Sequence, residues 1–195
     1  MEPQKFKQFL SDRHITQVIL DFDQTVATLV MSDNWTIWSE RIAKLFSTYD
    51  SSCADLRGRQ LLRKANELME KHGMELAHKM HRIIEEYEQE YFTGYEKNEN
   101  LLEIIRSVNS CAWHIWSSNT LKTLKKALAE FGIENNIQKI ASLDSVLKIK
   151  PDPEGFRFIN SENLPLSSFL MIGDSEFDEL AAKNSGIIFL HVSKI

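Results

Sequence analysis

The feature that most constrains the fold is a short apolar run, rich in branched residues, that recurs along the chain. The four runs are QVILDF at 17–22, CAWHIW at 111–116, FLMIG at 169–173 and GIIFLHV at 186–192. Runs of this kind are typical of strands buried on both faces. Amphipathic helical stretches lie between them at 100–108 and 123–132. Strands that alternate with helices predict an α/β fold with a Rossmann-like parallel sheet.

Residues 34–93 interrupt this alternation. Their apolar residues recur at helical spacing in three stretches, and no strand-like run separates the stretches. The three sets are Trp38, Ile42 and Leu45; Leu61, Ala65 and Leu68; and Leu76, Met80, Ile83, Ile84, Tyr87 and Tyr91. The sequence therefore predicts an α/β core formed by residues 1–30 and 98–195, and a small all-helical domain formed by residues 31–97. We expect the acidic run at 85–99 to be the solvated face of the last helix.

Composition and charge narrow the class of protein. The 195 residues include 23 Lys and Arg against 28 Asp and Glu, which gives a net charge of −5. This balance argues against a nucleic-acid partner, which would normally require a basic surface. The N-terminus is too polar for a signal peptide, and no apolar stretch approaches the roughly 18 residues that span a membrane. We therefore expect a cytoplasmic protein without a membrane partner. The two cysteines, Cys53 and Cys111, give little support for a disulfide or a zinc site.

Polar residues follow three of the predicted strands. DFDQT at 21–25 follows the first, Ser117-Ser118-Asn119-Thr120 follows the second, and Asp174 to Asp178 follows the third. Lys150 precedes the last of these strands, in the loop KPDPEGF. Ligands of open α/β sheets bind beyond the carboxyl ends of the strands. The sequence therefore predicts one site at one edge of the sheet.

The acidic residues of this predicted site call for a cation. Asp21 and Asp23 are expected on the same side of the chain, because side chains alternate along a strand. Two carboxylates about 4 Å apart repel by roughly 4 kcal/mol at an effective dielectric constant near 20. Asp174 and Asp178 add two more charges, against the single cation Lys150. Ligands that are all oxygen atoms favour Mg²⁺ over zinc.

A bound Mg²⁺ together with Ser118 and Lys150 suits a phosphate group. With the acids neutralised, Asp21 can attack phosphorus and form an aspartyl-phosphate. Asp23 can protonate the leaving oxygen and later deprotonate the attacking water. Lys150 would keep Asp21 ionised and balance charge on the transferred group. The predicted chemistry is phosphoryl transfer.

These residues, in this order, resemble the haloacid dehalogenase superfamily of aspartate-nucleophile phosphotransferases. DFDQT is similar to its first motif, the strand ending in SSN to its second, Lys150 before PDPEGF to its third, and GDSEFDE at 173–179 to its fourth. AAKNSG at 181–186 is similar to the usual continuation of the fourth motif. The resemblance covers residues 17–192 apart from the helical insert, which matches in position and size. It implies a Rossmann-like core with a helical cap after the first motif.

The resemblance also implies roles for individual residues. Asp21 is the nucleophile and Asp23 the acid/base, and Mg²⁺ is held by the Asp21 carboxylate, the Asp23 backbone carbonyl and Asp174. Phosphate binding is assigned to Ser118, Asn119 and Lys150, and Ser117 is a less favoured alternative to Ser118. Asp178 is assigned a supporting hydrogen bond, and Thr25 is expected to brace the loop.

One position departs from the superfamily pattern. Gln24 stands where glycine is common, and a positive φ there would cost glutamine about 1–2 kcal/mol. We interpret Gln24 as altered loop geometry or as an amide that faces the substrate. Arg57 and Arg59, at the start of a predicted cap helix, are candidates for contact with an anionic substrate; solvated arginines are the alternative.

The resulting prediction is a Mg²⁺-dependent phosphatase that acts on a small phosphorylated metabolite, as a monomer or homodimer. A phosphomutase, a phosphonatase and a catalytically silent binder of a phosphorylated ligand remain alternatives. A phosphonatase would need a cap lysine that forms a Schiff base, and the sequence does not single out Lys64, Lys71 or Lys79 for this role. A dehalogenase is disfavoured because its chemistry does not use the second aspartate of DFDQT. A signalling receiver domain also fits poorly, because its phosphorylated aspartate follows a later strand.

Overall fold

The computed structural model describes residues 1–33 and 35–195; position 34, which belongs to the predicted helical domain, lies outside this description. The strands are β1 (Gln17–Leu20), β2 (Ala27–Met31), β3 (Phe92–Lys97), β4 (Ala112–Trp116), β5 (Ile137–Ala141), β6 (Phe169–Gly173) and β7 (Ile188–His191). The helices are α1 (Pro3–Asp12), α2 (Thr36–Ser47), α3 (Arg59–Tyr91), α4 (Glu99–Ser107), α5 (Leu121–Glu130), α6 (Glu154–Ile159) and α7 (Glu176–Ser185). Within the described ranges, no helix combines the length and the apolar character needed to cross a bilayer.

Five strands form a parallel sheet in the order β5-β4-β1-β6-β7. The four predicted apolar runs provide β1, β4, β6 and β7, and the predicted α/β class with a Rossmann-like parallel sheet is confirmed. The fifth strand, β5, was not predicted. It lies at the sheet edge and is only partly buried, so its sequence IQKIA carries a weaker apolar signal than the other four runs.

Side chains of β1 alternate between two hydrophobic clusters. Val18 and Leu20 pack with residues of α1, α4 and α5 on one face of the sheet. Ile19 packs with residues of α6 and α7, including Phe156 and Ala182, on the other face. Both faces of the central strand are therefore buried, which is why its sequence is continuously apolar.

The register of the central strands places their ends at one edge. Leu20 pairs with Ile115 of β4 and with Ile172 of β6. Because the strands are parallel, the residues that follow Leu20, Trp116 and Gly173 emerge at the same edge of the sheet. This is the edge at which the sequence predicts a site.

We use the name helical insert for α2 and α3 with the segment between them. Helix α3 is interrupted at Gly73, whose φ of 64° and ψ of −156° are not helical, so the insert contains three helical segments, as predicted. Its interior is a separate hydrophobic cluster that includes Ile42, Phe46 and Leu61. Two core residues, Leu143 and Ile149, pack into this same cluster. The helical insert therefore lies against the core close to Lys150.

One part of the region predicted as all-helical is not helical. Strand β3 (Phe92–Lys97) pairs antiparallel with β2 (Ala27–Met31) in a two-stranded ribbon separate from the main sheet. Both chain connections between the core and the helical insert run through this ribbon. The short alternating segments of the ribbon are partly exposed, which explains why no buried strand was predicted there.

Candidate active site

Asp21 follows β1 directly and is buried, with 6% of its surface exposed. Its backbone N–H donates to the carbonyl oxygen of Ile172 at 2.9 Å, which continues the β1–β6 pairing for one residue beyond the strand. Its carboxylate accepts a short hydrogen bond from the Lys150 ammonium. The position of the carboxylate is therefore set by the sheet and by one buried cation.

Lys150 lies between two carboxylates. Its ammonium donates to Asp21 and, at 2.5 Å, to Oδ1 of Asp178. Burial alone would lower the pKa of Lys150, but the two carboxylates outweigh it and raise the pKa above its usual value. Lys150 is therefore a permanent positive charge in the site.

Both carboxylate oxygens of Asp178 are occupied. Oδ1 accepts from Lys150, and Oδ2 accepts from the backbone N–H of Ser175 at 3.1 Å and from its hydroxyl at 2.5 Å. Burial would raise the pKa of Asp178, yet Lys150 and Ser175 outweigh it and hold the pKa below its usual value. Gly173 permits this packing, because a Cβ at this position would lie 2.5 Å from Cβ of Asp178.

Three carboxylates form a group at the edge of the sheet. One oxygen each of Asp21, Asp174 and Asp178 lies within 4.8 Å of the others. Burial raises the pKa of Asp21 and of Asp174, and the Lys150 charge opposes this rise at both positions. The donor set consists of oxygen atoms alone, which suits a hard divalent cation.

Asp23 lies next to this group without belonging to it. Its carboxylate accepts from the backbone N–H of Leu29 at 3.0 Å. Burial raises the pKa of Asp23, and the bond from Leu29 partly opposes the rise. Asp178, rather than Asp23, therefore supplies the third carboxylate of this group.

The loop after β4 presents unused donors. The Ser117 hydroxyl accepts from the backbone N–H of Asn119 at 3.1 Å and braces the loop. The Ser118 hydroxyl makes no hydrogen bond within the described residues, and the buried Nδ2 of Asn119 has no partner there either. These donors lie at the start of α5, where Thr120 accepts from the backbone N–H of Thr123. The loop therefore offers donors to an anion, with Ser118 freer than Ser117.

The turn after Asp23 contains the departure noted in the sequence. Gln24 has a φ of 60°, in the left-handed region, and its backbone N–H donates to the carbonyl oxygen of Ala27 at 3.0 Å. Thr25 is fully buried, and its carbonyl oxygen accepts from Nδ2 of Asn98 at 3.0 Å. The Thr25 hydroxyl has no partner among residues 1–33 and 35–195. The backbone of Thr25, and not its hydroxyl, therefore attaches this turn to Asn98.

A cavity of about 440 Å³ lies between the sheet edge and the helical insert. Nine of the predicted site residues line this cavity: Asp21, Asp23, Gln24, Arg59, Ser118, Asn119, Lys150, Asp174 and Asp178. Thr25 does not line it. Arg57 does not line it either, because its guanidinium donates to the carbonyl oxygens of Ala54 and Leu56 in its own loop.

The sequence predicts a helical cap but does not identify which of its side chains line this cavity. Trp38, Ile42 and Met80 were interpreted as packing residues only, and Glu88 as part of a solvated acidic face, but all four line the cavity. Glu88 is 7% exposed, so the expectation for this residue was wrong. Periodicity could have identified it, since Glu88 falls four residues after Ile84 on the apolar face of α3.

The lysines considered for Schiff-base chemistry lie elsewhere. Lys64 pairs with Asp50 and Glu67, Lys71 pairs with Glu67, and Lys79 pairs with Glu75. None of the three lines the cavity at the sheet edge. The geometry gives the phosphonatase alternative no support.

Comparisons with known proteins agree with this arrangement. The profile described as haloacid dehalogenase-like hydrolase matches residues 18–192. Pyrophosphatase PpaX of Halalkalibacterium halodurans is 27% identical over 95 residues, which cover 47% of this chain and 44% of that protein. The match therefore spans less than half the length of this curated relative.

Solved structures share the fold at low sequence identity. A hydrolase from Pseudomonas syringae is 22% identical with a TM-score of 0.55, covering 89% of this chain and 82% of its own. A predicted phosphoglycolate phosphatase from Haemophilus somnus is 17% identical with a TM-score of 0.56, covering 90% and 84%. CbbY from Rhodobacter sphaeroides, solved with phosphate, is 14% identical with a TM-score of 0.55, covering 91% and 85%.

The profile match extends over nearly the whole chain and includes every motif on which the resemblance was based. The chain belongs to the haloacid dehalogenase-like hydrolases.

Proposed function

We propose that this hydrolase is a Mg²⁺-dependent phosphatase that acts on a small phosphorylated metabolite through an aspartyl-phosphate on Asp21. The observation that carries the proposal is the group of Asp21, Asp174 and Asp178 around one buried ammonium, that of Lys150. The names of the pyrophosphatase and of the predicted phosphoglycolate phosphatase agree with phosphoryl chemistry.

The donor set fits Mg²⁺. We propose that the Asp21 carboxylate, the Asp23 backbone carbonyl and the Asp174 carboxylate hold the ion. Asp178 is better suited to support these ligands, because both of its oxygens already accept hydrogen bonds from Lys150 and Ser175. When bound there, Mg²⁺ neutralises the acids and allows a phosphate dianion to approach a carboxylate.

Asp21 and Asp23 would perform the covalent steps. A carboxylate oxygen of Asp21 forms a bond to phosphorus while the bond from phosphorus to the ester oxygen breaks. Asp23 gives its proton to the leaving oxygen and later takes a proton from the water that attacks the phosphorylated Asp21. Inorganic phosphate leaves, and both aspartates return to their starting forms.

Ser118, Asn119 and Lys150 would hold the transferred group. The Ser118 hydroxyl and Nδ2 of Asn119 are donors without a partner in the described part of the chain. Lys150 supplies a fixed positive charge beside Asp21, which stabilises negative charge on the phosphoryl oxygens. Thr25 would brace the loop that carries both catalytic aspartates.

We propose that residues 31–97 act as a helical cap over the site. The helical insert forms the second wall of the cavity, so its position would exclude water during transfer. Gln24 and Arg59 line the cavity between the two parts and would contact the substrate there. We further propose a cytoplasmic enzyme, monomeric or homodimeric, whose partner is its substrate.

Phosphate release from a panel of small phosphoesters, with and without Mg²⁺, tests the proposal. Asp21→Asn is expected to reduce Mg²⁺-dependent release by about a thousandfold or more, because the nucleophile is lost. Asp12→Asn, on α1 and away from the cavity, is the matched control and should retain activity. Activity of Asp21→Asn equal to that of Asp12→Asn would rule out the mechanism. A phosphorylated product in place of free phosphate would identify a phosphomutase, and absence of turnover would identify a silent binder.

A further inference from the structure

The wall that the helical insert contributes to the cavity is mostly apolar. Its lining side chains include Trp38, Ile42, Leu61, Leu62, Met80 and Ile84. Ile42, Leu61 and Met80 are at most 2% exposed, so they form a fixed surface. The group that leaves with the ester oxygen would lie against this wall, because the phosphate is held on the opposite side by Ser118 and Lys150.

The wall also contains one carboxylate. Oε2 of Glu88 accepts from the hydroxyls of Thr120, at 3.3 Å, and of Thr123. Oε1 of Glu88 makes no hydrogen bond within the described residues, and Glu88 lines the cavity. Burial raises the pKa of Glu88 to about 7, so at pH 8 the side chain is ionised and would repel a second negative charge in the cavity.

Two cations line the cavity in the described part of the chain, and both act on carboxylates at the edge of the sheet. Lys150 is shared between Asp21 and Asp178. Arg59 is exposed and lowers the pKa of Asp174, against the rise that burial causes. Within the described chain, no lysine or arginine other than Lys150 and Arg59 lines the cavity, so the one cation that the helical insert contributes is Arg59, whose charge already acts on Asp174.

We propose that the substrate is a phosphate monoester of an apolar, uncharged alcohol, with an aromatic or branched aliphatic body that packs against the helical insert. The volume of about 440 Å³ is suited to a leaving group of this size beside the phosphate. Diphosphate and phosphorylated carboxylic acids are disfavoured substrates. This inference rests on the proposed phosphatase function.

The substrate class is tested with three phosphate esters that differ only in the alcohol, and with pyrophosphate, an anhydride whose leaving group is a second phosphate. With Mg²⁺ at pH 8, kcat/KM for benzyl phosphate is expected to exceed that for phosphoglycolate, glycerol 3-phosphate and pyrophosphate by about tenfold or more. Glycerol 3-phosphate distinguishes a preference for apolar alcohols from a preference for uncharged ones, because its alcohol is uncharged but polar. Equal or faster release from any of the three polar compounds would overturn the inference and leave the phosphatase function intact. Release from other members of the phosphoester panel but from none of these four would overturn the inference alone, and absence of release from the whole panel would reject both.

Matched variants locate the preference in the wall. Leu62→Lys places a cation on the wall and is expected to lower kcat/KM for benzyl phosphate about tenfold while raising it for phosphoglycolate. Met74→Lys makes the same charge change at an exposed position of α3 outside the cavity, and should leave both values unchanged. Glu88→Gln should raise kcat/KM for phosphoglycolate several-fold, and Glu85→Gln, outside this cavity, should not. If the ratio of kcat/KM for benzyl phosphate to kcat/KM for phosphoglycolate were the same in Leu62→Lys and Met74→Lys, the assignment of the preference to the wall would be contradicted.

Discussion

Gln24 shows how a non-glycine residue is accommodated in a left-handed backbone conformation. The backbone at this position has a φ of 60°, which is the conformation that glycine adopts without cost. Gln24 therefore carries the strain that the sequence suggested, in a turn closed by its own N–H bond to Ala27. Its exposed side chain reaches the cavity wall, where glycine would offer no contact.

Gln24→Gly is expected to increase the free energy of unfolding by up to about 1 kcal/mol. Relief of the left-handed strain, about 1–2 kcal/mol, is partly offset by the greater freedom of glycine in the unfolded chain. Urea denaturation measures the change. Gln24→Ala removes the same side chain without relieving the strain, so a glycine variant no more stable than the alanine variant would contradict the explanation.

At the scale of elements, α3 holds the segment that carries Lys150. Nδ2 of Asn66 donates to the carbonyl oxygen of Ile149 at 2.7 Å, and the backbone N–H of Ile149 donates to Oδ1 of Asn66 at 2.8 Å. On the core side, Glu154 accepts from the backbone N–H groups of Leu147 and Lys148. The position of the Lys150 segment therefore depends on contact with the helical insert.

Asn66→Ala is expected to lower kcat about tenfold, because a small displacement of Lys150 misaligns the charge beside Asp21. The two lost hydrogen bonds should reduce the free energy of unfolding by about 1–3 kcal/mol. Steady-state kinetics and urea denaturation measure these effects. Asn160→Ala removes a similar pair of bonds, made with Leu164 on the far side of the core, and should lower stability alone. Equal kcat values in the two variants would refute the link between α3 and Lys150.

The elements that could be predicted from sequence are those whose hydrophobic pattern follows from their own burial and not from pairing with a distant segment. β1, β4 and β6 are buried on both faces, so their apolar runs are continuous and recognisable. β5 and the β2–β3 ribbon are partly exposed, and their pairing depends on distant segments. The motif residues after β1, β4 and β6 were predictable because they follow strand ends, and Lys150 was predictable from its place in the loop before β6. The spacing from Ile84 marks Glu88 as facing inward, but its hydroxyl partners depend on how α3 packs against α5.

At the scale of the whole molecule, Glu88 connects the helical insert to the core through Thr120 and Thr123. Burial raises the pKa of Glu88 to about 7, although both threonine hydroxyls oppose the rise. The unfolded chain releases this proton near the ordinary value of 4.5, whereas the folded protein retains it to about pH 7. Between these values the folded state binds more protons, so stability falls as pH rises.

Glu88→Gln is expected to remove this part of the pH dependence. Its free energy of unfolding relative to the unsubstituted protein should rise between pH 4.5 and pH 7, by up to about 3 kcal/mol above pH 7. Denaturation curves collected across this range measure the difference. Glu86→Gln, at an exposed position of α3, is the control. If the free energies of unfolding of Glu88→Gln and the unsubstituted protein differed by the same amount at every pH, the assignment of this pH dependence to Glu88 would be contradicted.

The two-stranded ribbon has a consequence for the alignment of Asp23, the proposed acid/base residue. Asp23 forms a bridge with Ala27, and its carboxylate accepts from Leu29, so it is attached to β2 at two points. β2 is also the strand that leads into the helical insert. A tilt of the insert would therefore act directly on Asp23, and under the proposed mechanism it would synchronise proton transfer to the departing oxygen with closure of the reaction chamber.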